Sequence, residues 1–110
     1  MTQTQESNLK RGTLEMILLK LISERAMYGY ELATTLEKRA GGSFELKEGT
    51  LYPVLYRLEN EGLVETRWET LERGVPRKYY TLTEKGAAHL GRLMEEWQAF
   101  TASINRLLDG

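Results

Sequence analysis

The chain has 110 residues, of which 41% are hydrophobic, and its formal net charge is −1. This length allows one domain with its own core, and the nearly neutral charge argues against a general polyanion binder, because nonspecific DNA affinity rises with the number of phosphates neutralised. With no cysteine the chain can form neither disulfides nor a thiolate metal site, and its one histidine, His89, cannot build a metal cluster alone. The sequence also shows no signal-peptide pattern, and no apolar run approaches the roughly 20 residues that a membrane span needs. We therefore expect a cytoplasmic protein with no cofactor.

The N-terminal segment 1–8 is polar and aperiodic, which predicts a disordered tail, with structure beginning near Leu9. A first helix of about three turns is expected behind Thr13 as its N-cap. Its apolar residues recur at helical spacing and are Leu14, Ile17, Leu18, Leu21 and Ile22. After a break at residues 26–29, a second helix is predicted over residues 30–39.

A third helix is predicted in the segment that begins at Lys47. Pro53 lacks a backbone N–H and is comfortable only in a first turn, which puts the start close to Gly49 or Thr50, with Thr50 as candidate cap. On a helical wheel, one face of this helix carries Leu51, Val54, Leu55 and Leu58, and the other carries Tyr52, Pro53, Tyr56, Arg57 and Asn60. Outward tyrosines can donate hydroxyls to DNA phosphates; the alternative is that they pack against neighbouring loops.

A hairpin follows, because residues 64–70 and 77–82 alternate with strand spacing around a turn at residues 73–76. The apolar face of its first strand is expected to hold Val64, Thr66, Trp68 and Thr70, and that of its return strand Tyr80 and Leu82. Its tip carries the basic residues Arg73, Arg77 and Lys78, where a wing can reach a minor groove. The alternative is that these residues serve only solubility.

The last helix is predicted from Glu84 to Leu108, capped by Thr83. Six apolar residues form an a/d seam of nearly three heptads: Leu90, Leu93, Trp97, Phe100, Ile104 and Leu107. So long a seam requires a partner, which predicts a homodimer; the alternative is packing on the chain's own first helix. Trp97 is large for a two-helix seam, so it either helps to wall a cavity for an aromatic effector or only fills the dimer core.

Four groups of residues, in this order and at these spacings, resemble the PadR family of bacterial transcriptional regulators, in particular its members with a single C-terminal helix. Together they are much more specific than any one of them alone, and the resemblance covers residues 9–108. The groups are Gly12-Thr13-Leu14-Glu15, Tyr28-Gly29-Tyr30-Glu31-Leu32, Gly49-Thr50-Leu51-Tyr52-Pro53 with Leu58-Glu59-Asn60-Glu61-Gly62-Leu63, and Arg77-Lys78-Tyr79-Tyr80 with Leu82-Thr83-Glu84-Lys85-Gly86.

The order of elements is that of a winged helix-turn-helix, so the fold class is α+β and mainly α, with a DNA-binding domain over residues 9–82 and a dimerisation helix over 83–110. The resemblance implies a homodimeric repressor whose third helix enters the major groove at each half of a pseudo-palindromic operator, while the wing touches the flanking minor groove. Inducers in such families are often small aromatic or lipophilic compounds. Matched by position, the start of the recognition helix is Gly49, Thr50, Tyr52 and Pro53, and the basic part of the wing is Arg77 and Lys78.

The full set of predicted DNA-binding residues adds Lys47, Tyr56, Arg57 and Arg73 to these. The competing hypothesis is a winged-helix module that binds protein and not DNA, which the slightly acidic charge favours. An enzyme is disfavoured, because His89 has no nearby cysteine or serine pattern and no glycine-rich phosphate loop precedes a helix.

Overall fold

A computed structural model of the protein describes residues 2–42, 46–70 and 73–110, and for residues 2–11 it describes only the backbone. In these ranges, four helices and three short strands follow one another along the chain. They are α1 (Thr2–Glu24), β1 (Met27–Tyr28), α2 (Gly29–Arg39), α3 (Glu48–Asn60), β2 (Val64–Glu69), β3 (Arg77–Leu82) and α4 (Glu84–Asp109). This order confirms the expected fold class, a mainly helical α+β winged helix-turn-helix followed by a long C-terminal helix.

Helix α1 is longer than the sequence predicted. It begins at Thr2, so the backbone of residues 2–8 is helical where a disordered tail was expected, and Thr13 lies inside the helix and does not cap it. No glycine or proline precedes Gly12, so nothing in the local sequence stops the helix from extending backward from its packed part. The predicted apolar face is confirmed, since its members are buried or packed against the core: Leu14, Ile17, Leu18, Leu21 and Ile22.

The strands form one antiparallel sheet in the order β1-β3-β2. Strand β1 was not predicted, because residues 27 and 28 were assigned to a break between helices. It pairs with β3, Met27 opposite Tyr80 and Tyr28 opposite Tyr79. Two residues are too few to show an alternating pattern, so this strand depends on a neighbour that lies some fifty positions further along the chain.

Strands β2 and β3 form the wing, in a register that runs from Val64 opposite Leu82 to Glu69 opposite Arg77. The inward direction expected for the return strand is confirmed, because Tyr80 is buried and Leu82 packs against the core.

Trp68 was expected on the apolar face of the wing, but its side chain is 66% exposed. It shares the face of Val64 and Thr66, since side chains two residues apart point the same way. That face is buried only near the helices, and Trp68 lies farther out, where it lines an open groove.

The core lies between α1, α2, α3 and the inner face of the sheet, and burying each large side chain there contributes about 1.5–3 kcal/mol. All four residues predicted to face inward from α3 are buried. The largest fully buried side chains are Leu18, Leu19, Met27, Leu32, Leu51, Leu55 and Leu58.

Helix α3 begins at Glu48, one or two residues before the predicted start, and Thr50 is not its cap. The N-cap is Lys47, whose carbonyl oxygen accepts from the N–H groups of Thr50 and Leu51 at 2.9 Å each. Pro53 therefore lies in the second turn, where its missing N–H leaves the carbonyl of Gly49 without a helical donor. Gly49 is exposed, so water can satisfy that carbonyl, and the helix tolerates the proline.

Helix α4 begins as predicted. The Thr83 hydroxyl oxygen accepts from the Gly86 N–H at 2.9 Å, and the same hydroxyl lies within hydrogen-bond distance of the Leu63 carbonyl, at 3.0 Å. Gly86 is required at this junction, because a Cβ there would overlap the Leu63 carbonyl oxygen. The start of α4 is thereby held against the end of α3.

Candidate DNA-binding surface

An open groove lies between the outward face of α3, the start of α2 and the wing. Its volume is about 360 Å³. Aromatic rings make up most of its lining, with two cations beside them: Tyr28, Tyr30, Tyr52, Tyr56, Trp68, Tyr80, Arg77 and Lys78. Phenol hydroxyls and cations of this kind are the groups that contact phosphate and sugar in protein–DNA complexes.

The two outward tyrosines of α3 differ in their surroundings. Tyr52 packs against the first residue of α2, where a Cβ added at Gly29 would lie 2.6 Å from the Tyr52 hydroxyl and 2.9 Å from its ring. Gly29 therefore makes room for the ring of Tyr52. Tyr56 is 64% exposed. Tyr52 thus packs against α2 on one side and is still 40% exposed, while Tyr56 extends further from the helix, and both line the groove.

The first turn of α3 is open to solvent. The predicted contact residues in and beside it are all exposed: Lys47 at the N-cap, Gly49 and Thr50 in the first turn, and Pro53 in the second. Arg73 in the loop of the wing is exposed as well. A helix N-terminus carries unpaired N–H groups and a partial positive charge. This end of α3 can therefore approach an anionic backbone without first breaking internal contacts.

Arg77 and Lys78 were predicted to form the basic part of the wing together, but they lie on opposite faces of the sheet. In the strand register Glu69 is opposite Arg77 and Trp68 is opposite Lys78, and side chains alternate along a strand. Arg77 is exposed, with its guanidinium carbon 4.5 Å from the centroid of the Tyr28 ring. This cation–π contact leaves the charge accessible and holds it beside the start of α2.

Lys78 points inward, toward α3. Its Nζ donates to Glu59 Oε1 at 3.0 Å and lies 5.4 Å from the centroid of the Tyr56 ring. The hydrogen bond from Lys78 lowers the pKa of Glu59, and the same bond raises the pKa of Lys78. Sequence reasoning missed Glu59, although period-two alternation from the inward Tyr80 already places Lys78 on the inner face.

The Glu59–Lys78 pair makes stability depend on pH. Because the pKa of Glu59 is lowered from its ordinary value of 4.5, its contribution is fully present above pH 4.5 and is lost as the pH falls through the lowered value. Replacing Glu59 by Gln should therefore reduce stability at pH 7, and the two proteins should converge in acid. Denaturant unfolding between pH 7 and 3 measures this, with Glu65→Gln on β2 as control. Parallel curves for wild type and Glu59→Gln would contradict it.

Arg57 was expected to face outward with the tyrosines; its side chain is 37% exposed, but it is turned toward α1. Its Nη1 donates to Glu15 Oε1 of α1 at 2.9 Å and lies 3.7 Å from Glu61 Oε2. His89 Nε2 of α4 lies 3.7 Å from the other carboxylate oxygen of Glu15. Arg57 is about 100° beyond Tyr56 on the helical wheel, which turns it toward α1. Glu15, whose side chain is 12% exposed, thus brings α1, α3 and α4 together, a role that the sequence did not indicate.

The apolar seam of α4 is only partly covered within one chain. Leu90 is buried and Leu93 packs against the core, so the alternative of packing on the first helix applies to this first part. Beyond it, the seam is exposed at Trp97, Phe100, Ile104 and Leu107. The centroids of the Trp97 and Phe100 rings are 6.1 Å apart.

A groove of about 350 Å³ begins at this exposed part and runs between α1, α2 and α4. Apolar side chains provide most of its lining, including Met16, Ile17, Leu36, Met94 and Trp97. In the described ranges, no three His, Cys, Asp or Glu side chains gather as a metal site would need. No described helix is long and apolar enough to cross a membrane.

Residues 18–92 match the model of the transcriptional regulator PadR-like family. The match covers most of the chain, from α1 to the first part of α4, and includes the whole candidate surface. The chain belongs to the PadR-like family of transcriptional regulators.

Individual relatives agree with this assignment. An uncharacterized protein of Lysinibacillus sphaericus is 38% identical over 104 residues, which are 94% of this chain and 95% of that protein. The crystal structure of a PadR-like transcriptional regulator from Bacillus cereus has a TM-score of 0.81 at 36% identity, covering 94% of this chain and 98% of that one. The negative transcriptional regulator PadR of Bacillus subtilis is 27% identical over 77 residues, which are 70% of this chain and 42% of that regulator.

Membership in the PadR-like family settles the broad function. The family consists of transcriptional regulators, so the prediction of a regulator and not an enzyme is confirmed. The chain is close in length to the Lysinibacillus protein and the Bacillus cereus structure, and it spans less than half of the Bacillus subtilis regulator.

Proposed function

We propose that this PadR-like protein is a homodimeric repressor that binds a pseudo-palindromic operator. The observation that carries the proposal is that Arg77 of the wing lines one groove with Tyr52 and Tyr56 of α3, next to the exposed start of that helix. In winged helix-turn-helix proteins such a helix enters the major groove, which places the wing over the adjacent minor groove or backbone. Repression is supported by the name of the Bacillus subtilis relative, a negative transcriptional regulator.

The second subunit is proposed to cover the exposed part of the α4 seam. Trp97, Phe100, Ile104 and Leu107 continue the heptad positions of the buried Leu90 and the half-buried Leu93. A second copy of α4 offers the same spacing, and a twofold axis sets equal patches against each other. Two recognition helices related by that axis would read two inverted half-sites.

The experiment that tests this function is selection of bound fragments from the source genome, followed by titration of the selected duplex. We expect inverted half-sites whose centres are about one helical turn, or a multiple, apart, nanomolar affinity and a steep fall of affinity with salt. A random duplex of equal length is the control. Equal affinity for the selected and the random duplex would rule out sequence-specific regulation by this protein.

The alternative, a winged-helix module that binds protein and not DNA, is tested in the same titration. The formal charge of −1 favours it, whereas the accessible Arg77 and the open start of α3 favour DNA. An absence of any salt-dependent binding to duplex DNA would support the alternative.

We further propose that a small planar aromatic or lipophilic compound binds beside Trp97 and releases the operator. The groove at Trp97 is apolar and of ligand size, and planar ligands gain from stacking on indole rings. The alternative is that Trp97 only fills the dimer core. Both require Trp97 to be buried by the partner, so dimer stability does not separate them.

Fluorescence of Trp97 separates the two roles. In a Trp68→Phe variant, which leaves Trp97 as the single tryptophan, we expect saturable quenching by some members of a panel of planar lipophilic compounds, at micromolar concentration. The same compounds should release operator DNA, and Trp97→Phe is the control for inner-filter effects. A flat response to the whole panel would assign Trp97 to packing alone.

A further inference from the structure

Glu59, on the last turn of α3, joins this helix to both strands of the wing. Its Oε2 accepts from the Thr66 hydroxyl of β2 at 3.0 Å, and its Oε1 accepts from Lys78 Nζ of β3 at 3.0 Å. Each carboxylate oxygen therefore binds one strand. Thr66 and Lys78 lie 7 and 19 positions after Glu59 in the sequence. The two contacts therefore fix the wing relative to α3.

The surroundings keep this carboxylate and ammonium together. The side chains of Glu59 and Lys78 are 33% and 25% exposed. The Lys78 ammonium also lies 5.4 Å from the ring centroid of Tyr56 and 5.7 Å from that of Tyr80. A partly enclosed ion pair with a second hydrogen bond and two aromatic neighbours is held more firmly than a freely solvated one.

We infer that Glu59 is a positioning residue that sets the angle between the recognition helix and the wing, with Lys78 and Thr66 as its partners. The inference rests on the proposed DNA-binding function. Lys78 is paired inside the protein, and its charge is balanced by that of Glu59. The wing charge offered to DNA is then Arg77, and its place relative to α3 depends on Glu59.

For a variant that lacks Glu59, this role predicts a change in operator affinity opposite to the one expected from charge alone. Removing a negative charge near DNA should strengthen all binding, whereas releasing the wing should weaken binding to the operator selectively. For Glu59→Ala we expect the ratio of operator to random-duplex affinity to fall by about tenfold, the loss typical of one charge-assisted hydrogen bond. Affinity for random duplex should stay equal or rise, because Lys78 becomes free.

Two variants serve as matched controls. Glu65→Ala removes the same charge from exposed β2, where the described residues show no ion pair with it, and it should keep the ratio. Glu59→Gln retains an oxygen acceptor, so its ratio of operator to random-duplex affinity should stay close to that of the wild type. If Glu59→Ala strengthens operator and random duplex by the same factor as Glu65→Ala, Glu59 is only a surface charge and the inference is overturned.

A double-mutant cycle with Lys78→Met tests the partner. Once Glu59 is Ala, Lys78→Met should lower the ratio no further; additive losses would overturn the inference. Hydrogen exchange of the β2 and β3 amides in the DNA-free protein should be faster in Glu59→Ala than in Glu65→Ala. This readout needs no DNA, so it still supports or overturns the link to the wing if the wild type binds no operator and the proposed function fails.

Discussion

Replacing Phe100 and Ile104 together by Asp is expected to leave the protein monomeric where the proposed dimer forms in the wild type, and to lower operator affinity by about a hundredfold or more, because each monomer then holds only one half-site. Four carboxylates per dimer would be buried in an apolar seam with no partner, which is strongly unfavourable. In a single chain both positions are partly exposed, so the fold should survive. Analytical ultracentrifugation measures the mass, and fluorescence anisotropy with operator DNA measures the affinity.

The matched control for this variant carries the same two charges elsewhere on α4. Ala99 and Ala102 are exposed and lie outside the a/d positions, so Ala99→Asp with Ala102→Asp should leave both mass and affinity unchanged. Circular dichroism should report equal helix content for both pairs. A Phe100/Ile104 variant that keeps the dimer mass would show that the exposed seam is not the interface.

Helix α4 and the inner face of α3 were predictable because their signals are local and repeated. Thr83 and the heptad spacing fix the start and the apolar face of α4 over many residues, so one unusual position such as Gly91 does not change the conclusion. In α3, four apolar residues at helical spacing outweigh the proline. The start of α3 was predicted to within one or two residues, but its cap is Lys47 and not Thr50. The prediction read Pro53 alone, whereas the helix holds this proline in its second turn, where Gly49, the residue whose carbonyl loses its helical donor, is exposed.

Elements that depend on distant neighbours were harder to predict. Strand β1 has two residues and exists because β3 pairs with it. The N-terminal turns of α1 have no apolar residues at helical spacing. A prediction that depends on such spacing therefore assigns residues 2–8 to a tail. Trp68 was expected on the apolar face of the wing and is exposed there, because alternation gives the face of a side chain, whereas burial depends on whether another element covers that face.

Within the candidate surface, the pairing of the charged residues was not predictable from the sequence. Four of the predicted contact residues, Tyr52, Tyr56, Arg77 and Lys78, line one groove. Yet Arg57 pairs with Glu15 over 42 positions and Lys78 with Glu59 over 19. Such pairs depend on how the helices and strands pack. A count of charges along the sequence cannot show them, so it treats Arg57 and Lys78 as free cations. Of the basic residues predicted in the wing, Arg73 and Arg77 are the exposed ones.

Arg77→Ala is expected to weaken binding to operator and random duplex alike and to flatten the dependence of affinity on salt. Each phosphate contact contributes about −0.9 to the slope of log affinity against log salt, so two copies of Arg77 in a dimer should account for about 1.8. Lys78→Ala should change the slope much less, because Glu59 already holds that ammonium. Titrations at several salt concentrations measure both slopes.

Arg92 provides the control for this comparison, since it is exposed on α4 and outside the candidate surface. Arg92→Ala removes the same charge and should leave the slope unchanged, which separates contact at Arg77 from a change in overall charge. If Arg77→Ala keeps the wild-type slope while Lys78→Ala flattens it, then Lys78 leaves Glu59 on binding and is the residue of the wing that contacts phosphate. If all three variants shift the slope equally, only net charge matters and the wing makes no specific contact with DNA.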